Sequence, residues 1–304
     1  MRQVDRSRLA ELMESETRRF VDTHPKSAAH SQTAGALVGG VPMPWMRRWP
    51  GPFPLVLEQA SGARFTDIDG HEYVDLCLGD TGAMTGHAHR DVGEAVSRQL
   101  ARGATVMLPT QDAVWVANEM QRRFGLPKWQ FALSATDANR FVLRFARAIT
   151  GKPKVLVHDW CYHGTVDETL VIADENGETI SRHGAIGPQV HPSLTTRVVP
   201  FNDLHALERQ LKFGDVACML IEPALTNIGI VLPEPGYLAG VRELTRKYDA
   251  LLIIDETHTF SAGWGGMTKR DNLEPDVFVI GKAIAGGIPT GAYGLSAALA
   301  ERIL

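Results

Sequence analysis

The sequence predicts an α/β/α sandwich around a mostly parallel, seven-stranded sheet. Three observations carry this. From about residue 91, helical patterns alternate with short apolar runs. Most of these runs lack the in–out alternation of a half-exposed sheet, as expected of strands covered by helices on both faces. Two of them end in charge: Leu251-Leu-Ile-Ile254 runs into Asp255, and Val277-Phe-Val-Ile-Gly281 runs into Lys282. Open α/β sheets bind ligands beyond the carboxyl ends of their strands, where both charges fall.

Taken in chain order, Leu9, Leu12, Met13, Glu16 and Phe20 recur at near-helical spacing and predict a helix over 5–23. From Gly39 to Pro54 the chain is rich in Pro, Gly and Trp, which predicts an irregular packed segment. Ala63 to Leu76 forms two alternating runs around Asp69-Gly70, a hairpin signal. Helices are then expected near 91–102, 112–124, 137–150, 203–213 and 236–248. Strands are expected at 129–133, 154–158, 196–199, 216–221, 250–254, 277–281 and 292–296. The organisation expected is an N-terminal part over 1–90 (helix, irregular segment and hairpin), followed by a large α/β domain over 91–304.

A net charge of −4 gives no support for nucleic-acid binding or a basic membrane-facing surface. No apolar run approaches the ~20 residues needed to cross a bilayer. The N-terminus carries no signal-like apolar core. The three cysteines, Cys77, Cys161 and Cys218, are far apart and indicate neither a disulfide framework nor a zinc site; no metal is expected. Buried or incidental thiols and a cytoplasmic location follow.

Asp255 and Lys282 carry the chemistry. Neither charge belongs in a core unpaired. A lysine so placed can form a Schiff base with a carbonyl, and an aspartate can keep a pyridine nitrogen protonated, the minimum for pyridoxal phosphate chemistry. Ser134-Ala-Thr-Asp137, before a helix with Phe141, Val142, Phe145 and Ile149, reads either as a phosphate cradle or as a plain N-cap. Tyr162, followed by His163-Gly164, reads as a ring stacked on a planar cofactor or as packing. Glu222 reads as an acid acting through a neighbouring residue or as an ordinary helix-flanking acid, Asn227 as a polar contact to cofactor or substrate or as a loop residue, and His258 as a cofactor contact or as structural.

In order, these segments resemble the class III aminotransferases, fold type I pyridoxal phosphate enzymes that include glutamate-1-semialdehyde aminomutase. The resemblance spans roughly residues 35 to 300. It rests on Gly62 to Asp75, Gly86-His-Ala-His89, Ser134 to Ala138, Tyr162-His-Gly164, Glu222-Pro223 with Asn227 and Gly229, Asp255-Glu256, and Gly281-Lys282 with Gly286-Gly287-Ile-Pro289 and Gly291-Ala-Tyr-Gly294. It implies that Lys282 forms the Schiff base and shuttles a proton, and that Asp255 binds the ring nitrogen. Tyr162 would stack on the ring. Ser134, Ala135 and Thr136 would hold the phosphate, Asn227 would lie near the ring, and His258 would face the phenolic oxygen, where relatives often carry Gln or Met.

The function so implied is transfer of an amino group between an amino acid or amine and an oxo acid. The alternatives are a glutamate-1-semialdehyde-type 2,1-aminomutase and a non-catalytic or truncated remnant. The resemblance also implies a homodimer, and a C-terminal small domain that is absent from a chain ending at Leu304. Ala135 stands where relatives carry Gly, and Thr81 where aminomutases place an aromatic residue. Arg47, Arg48, Thr81 and Glu222 are the candidate substrate contacts.

Overall fold

The structure is a computed structural model describing residues 4–303, in two compact units that divide between Ala101 and Arg102. The division follows the helix near 91–102 rather than preceding it, so that helix belongs to the N-terminal unit.

In the N-terminal unit, α1 (Arg6–Thr23) is capped by Asp5, whose carboxylate accepts from the Arg8 amide at 3.0 Å. The predicted helix is present, but Leu9, Leu12 and Met13 are exposed, so its spacing does not mark a buried face within this unit. A second helix, α2 (Pro25–Thr33), was not expected from the sequence. It begins with Pro25 in the first turn, a position whose amide would go unpaired anyway. Asp69 caps it from the hairpin turn, accepting from the Lys26 and Ser27 amides and the Ser27 hydroxyl. The predicted hairpin is β2 (Arg64–Asp67) with β3 (Glu72–Val74), and an unpredicted strand, β1 (Leu57–Ser61), pairs antiparallel with β2. Two short 3₁₀ turns, Val38–Gly40 and Pro44–Arg48, occupy the irregular segment. The unit closes with α3 (Arg90–Leu100).

The second unit contains α4 (Gln111–Phe124), β4 (Lys128–Ala132), α5 (Ala135–Thr150), β5 (Lys154–His158), β6 (Val171–Ala173), β7 (Thr179–Ser181), β8 (Thr196–Val199) and α6 (Leu204–Leu211). It continues with β9 (Val216–Ile221), α7 (Tyr237–Lys247), β10 (Leu251–Asp255), α8 (Gly266–Arg270), β11 (Val277–Ile280), β12 (Gly291–Leu295) and α9 (Ala297–Ile303). Seven strands form one sheet in the order β4-β12-β11-β10-β9-β5-β8. Only β12 runs against its neighbours; the remaining pairs in β8 to β11 are parallel. All seven strands expected from the sequence are therefore present, and the β6–β7 hairpin is additional.

Both faces of the central strands are covered, which is why β9, β10 and β11 read as unbroken apolar runs. Val142, Leu143 and Ala146 of α5 pack with Val157, Leu220, Ile253 and Val279 on one face. Leu207 and Leu211 of α6 and Leu238 and Val241 of α7 pack with Leu156, Met219, Leu252 and Ile254 on the other. Each such fully buried side chain contributes about 1.5–3 kcal/mol by leaving water. Cys161 and Cys218 lie inside this unit, and burial pushes the Cys218 thiol up to about 12. Cys77, in the N-terminal unit, is exposed. Among the described residues no helix is long and apolar enough to cross a membrane.

Candidate active site

Because β4, β5, β9, β10 and β11 share one direction, their carboxyl ends and following loops lie along one edge of the sheet. Asp255 ends β10, and Val279 of β11 is its neighbour in register. Lys282 follows β11 through Gly281 and takes a φ of 52°. This left-handed conformation costs an L-residue about 1–2 kcal/mol, so the fold holds Lys282 there against local preference.

The carboxylate of Asp255 is buried and saturated with donors. Its Oδ2 accepts from Asn139 Nδ2 and from His163 Nδ1, both at 2.9 Å. Its Oδ1 accepts from the Thr257 amide at 3.0 Å and the Thr257 hydroxyl at 2.6 Å. Burial opposes ionisation of Asp255, but the bond and charge of His163, with Thr257 and Asn139, outweigh it and hold its pKa below the carboxylate range. Burial likewise opposes charge on His163. The adjacent Cys161 sulfur and the Asp255 carboxylate outweigh it and push His163 well above the ordinary histidine value. Asp255 and His163 therefore form a buried ion pair. A second buried histidine, His158, bonds the Tyr237 hydroxyl at 2.7 Å and is pushed down to about 3 by burial and by repulsion from His163.

The amine of Lys282 lies 2.6 Å from Nε2 of His258, which follows β10 by three residues. Glu256 fixes the loop that carries His258. Its buried carboxylate accepts from the Thr268 and Met267 amides and the Thr259 hydroxyl. Burial nonetheless raises its pKa above the usual glutamate value.

The amino end of α5 meets the same edge. Ser134 caps it, its hydroxyl accepting from the Asp137 amide at 3.1 Å. The amides of Ala135 and Thr136 fall in the first turn, where a helix leaves donors unsatisfied and its dipole favours an anion. Two glycines permit the close approach. A Cβ at Gly281 would lie 2.9 Å from the Ala135 Cβ. One at Gly164, where φ is +80°, would lie 2.0 Å from the Thr136 hydroxyl oxygen.

Lys282, Asp255, His258, Ser134, Ala135 and Thr136 thus stand on one edge, as the sequence predicts. Tyr162 is half exposed on the loop after β5, its amide donating to Glu222 at 3.1 Å. Glu222 itself is buried and accepts also from the Thr226 amide and hydroxyl. It clamps two loops together through Tyr162 and Thr226, the supporting role that its sequence reading as an indirectly acting acid allows. Asn227 is exposed on the loop after β9, in a bridge with Gly229. Arg47, Arg48 and Thr81 belong to the N-terminal unit. Asn139, His163 and Thr257 were not singled out as site residues. The one signal for Asn139 is its place a helical turn beyond Ala135, on the same face of α5.

A family model described as "Aminotransferase class-III" matches residues 45–304. The chain is 37% identical over 247 residues to a glutamate-1-semialdehyde 2,1-aminomutase of Methanocella arvoryzae, covering 80% of this chain and 58% of that protein. It is 36% identical over 281 residues to the protein of that name from Desulfitobacterium hafniense, covering 90% and 65%. It thus spans about three fifths of the length of these curated relatives. Among solved structures, a glutamate-1-semialdehyde-aminomutase from Pseudomonas aeruginosa PAO1 superposes with a TM-score of 0.95 at 52% identity, covering 99% of this chain and 66% of that one. A variant of that aminomutase was solved in complex with PMP. An omega-transaminase from Sphaerobacter thermophilus superposes with a TM-score of 0.85 at 32% identity, covering 92% and 66%.

Proposed function

Because the chain belongs to the class III aminotransferase family, we propose that it is a pyridoxal phosphate enzyme moving an amino group between an amino acid or amine and an oxo acid, with Lys282 as the cofactor-linking lysine. The observation that carries this reading is the pairing of an ionised, buried Asp255 and a strained Lys282 on the ends of adjacent parallel strands.

The residues present fit the cofactor. An anion is met by the amino end of α5, where Gly164 and Gly281 leave room that a Cβ would fill. A protonated ring nitrogen is met by Asp255. The Thr257 hydroxyl is the one of its four donors able to rotate aside for another. A carbonyl is met by the amine of Lys282.

When bound, pyridoxal phosphate supplies an electron-withdrawing ring and a carbonyl that takes up the amino group. Asp255, kept anionic by His163, Thr257 and Asn139, holds a proton on the ring nitrogen. Lys282 holds and returns the proton removed from the carbon bearing nitrogen. His258, within hydrogen-bond distance of the lysine amine, orients it for that transfer. Ser134, Ala135 and Thr136 anchor the phosphate, and Tyr162 covers the ring. Asn227 is a polar contact near it, and Arg47, Arg48 and Thr81 are the candidate substrate contacts. The protein acts as a homodimer in the cytoplasm.

The second reading is a 2,1-aminomutase, favoured by the name shared by its curated relatives and by the Pseudomonas structure. Turnover of single amino compounds by the cofactor-loaded chain, with and without an oxo acid, separates the two. A transaminase turns over only with the acceptor; a mutase isomerises one compound without it. A chain that changes no amine under either condition would contradict both.

Gly164→Ala is expected to weaken pyridoxal phosphate binding at least about tenfold, a loss of ~1.4 kcal/mol. The new methyl group displaces Thr136 and strains a left-handed residue. Equilibrium titration of the cofactor into both proteins reads this, and equal affinities would place the phosphate elsewhere.

A further inference from the structure

The N-terminal unit holds a cluster that amino-group transfer does not use. His24 lies at the junction of α1 and α2, Asp67 ends β2, and His71 lies in the loop before β3. One ligand-type atom from each falls within 4.8 Å of the others. His24 and Asp67 are buried, whereas the His71 side chain is 40% exposed.

The hydrogen bonds orient these atoms. Nδ1 of His24 lies 2.7 Å from the Phe20 carbonyl oxygen, which can only accept, so that nitrogen carries a hydrogen. In the neutral ring Nε2 is then a bare lone pair, and it faces Asp67 Oδ2 at 3.5 Å. A ring held through its other nitrogen by a backbone carbonyl is the arrangement of a metal-ligating histidine. The Asp67 carboxylate is aimed by the His71 amide, which donates to Oδ1 at 2.8 Å. Its Oδ2 lies 3.2 Å from Nδ1 of His71.

The Tyr73 hydroxyl lies 2.8 Å from His24 Nε2 and 3.0 Å from Asp67 Oδ2, bridging the two ligand-type atoms.

We propose that His24 Nε2, Asp67 Oδ2 and His71 Nδ1 form a binding site for a divalent transition-metal ion of the zinc class. Zinc takes such nitrogens and oxygens at ~2.0–2.2 Å, which puts neighbouring ligands of a tetrahedral site roughly 3.3–3.5 Å apart. The two edges that meet at Asp67, 3.5 and 3.2 Å, match this spacing. The edge between the histidines closes by an inward swing of His71, the exposed member. His24, His71 and Tyr73 line a groove of about 710 Å³ that also includes Phe20, Trp49 and Pro52. The ion ties the junction of the two helices to the hairpin.

Zinc chloride titrated into the metal-stripped chain against a chromophoric zinc indicator tests the proposal. One tight equivalent is expected, with a rise in the thermal midpoint that a chelator reverses. His71→Ala, which removes one ring bond to Asp67, should lower the metal-free midpoint modestly and weaken zinc binding by roughly a hundredfold, so that zinc no longer raises the midpoint. His24→Gln should also lose the tight equivalent. If the unaltered chain takes up zinc no more tightly than His71→Ala, or zinc leaves its midpoint unmoved, the cluster is a hydrogen-bonded network and the proposal is overturned.

Discussion

Lys282→Ala is expected to lower the proposed amino-group transfer by at least about 10⁴-fold, because on that reading one side chain both links the cofactor and carries the proton. A positioned acid–base group alone is worth about 10²–10⁴-fold, and loss of the covalent link adds to that. Folding should change little. Lys282 is only partly buried, and alanine at a φ of 52° meets the same left-handed strain. Initial rates, with the thermal midpoint alongside, check both halves of this expectation. A variant keeping more than about 1% of the activity would place the proton transfer on another group.

Asp255→Asn should damage stability and activity together. Asp255 and His163 are both buried, and each is the other's counter-charge. Removing one partner of such a pair costs about 3–5 kcal/mol, because the other is left charged or forced to lose its proton. The pH signs follow from the two shifts. The lowered Asp255 pKa contributes stability present above the ordinary aspartate value, 3.8, and lost as pH falls through the folded pKa. The raised His163 pKa contributes stability fully present below the ordinary histidine value, 6.5, and lost as pH rises through the folded pKa. The pair therefore stabilises the unaltered chain across neutral pH, and the variant should lose that margin. Urea unfolding at several pH values measures it, and equal midpoints near pH 7 would mean that the pair is not ionised. In activity, loss of the anion that holds the ring proton should cost roughly 10²–10³-fold, the scale of one preorganised electrostatic contact.

The central sheet strands were legible because burial on both faces leaves a plain apolar signature, and Val216 to Ile221 carries it without interruption. Asp255 and Lys282 were legible for the converse reason, as charges ending such runs. α2, β1 and the β6–β7 hairpin were not, since such short elements hold too few residues for a periodicity to be read. α1 was read correctly as a helix, yet Leu9, Leu12 and Met13 are exposed, because spacing reports which residues share a face and not what covers it. Asn139, His163 and Thr257 act only through Asp255. Their roles depend on the packing of α5 and the loop after β5 onto β10, which no local spacing encodes. Glu222 read as an acid acting through a neighbour and as a candidate substrate contact because it follows a strand, with no partner legible for either role. The Tyr162 and Thr226 donors that occupy it come from loops that only the fold brings together. The cluster of His24, Asp67 and His71 was invisible for the same reason, with His24 on one side of the irregular segment and the hairpin on the other.

The central claim is that this chain presents Lys282, among all its lysines, to a carbonyl cofactor. Reduction with borohydride in the presence of pyridoxal phosphate, followed by peptide mass mapping, tests it most directly. One pyridoxyl-modified peptide containing Lys282, absent from Lys282→Ala, is the predicted result. Label spread over other lysines, such as Lys247 on α7, with none on Lys282, would contradict it.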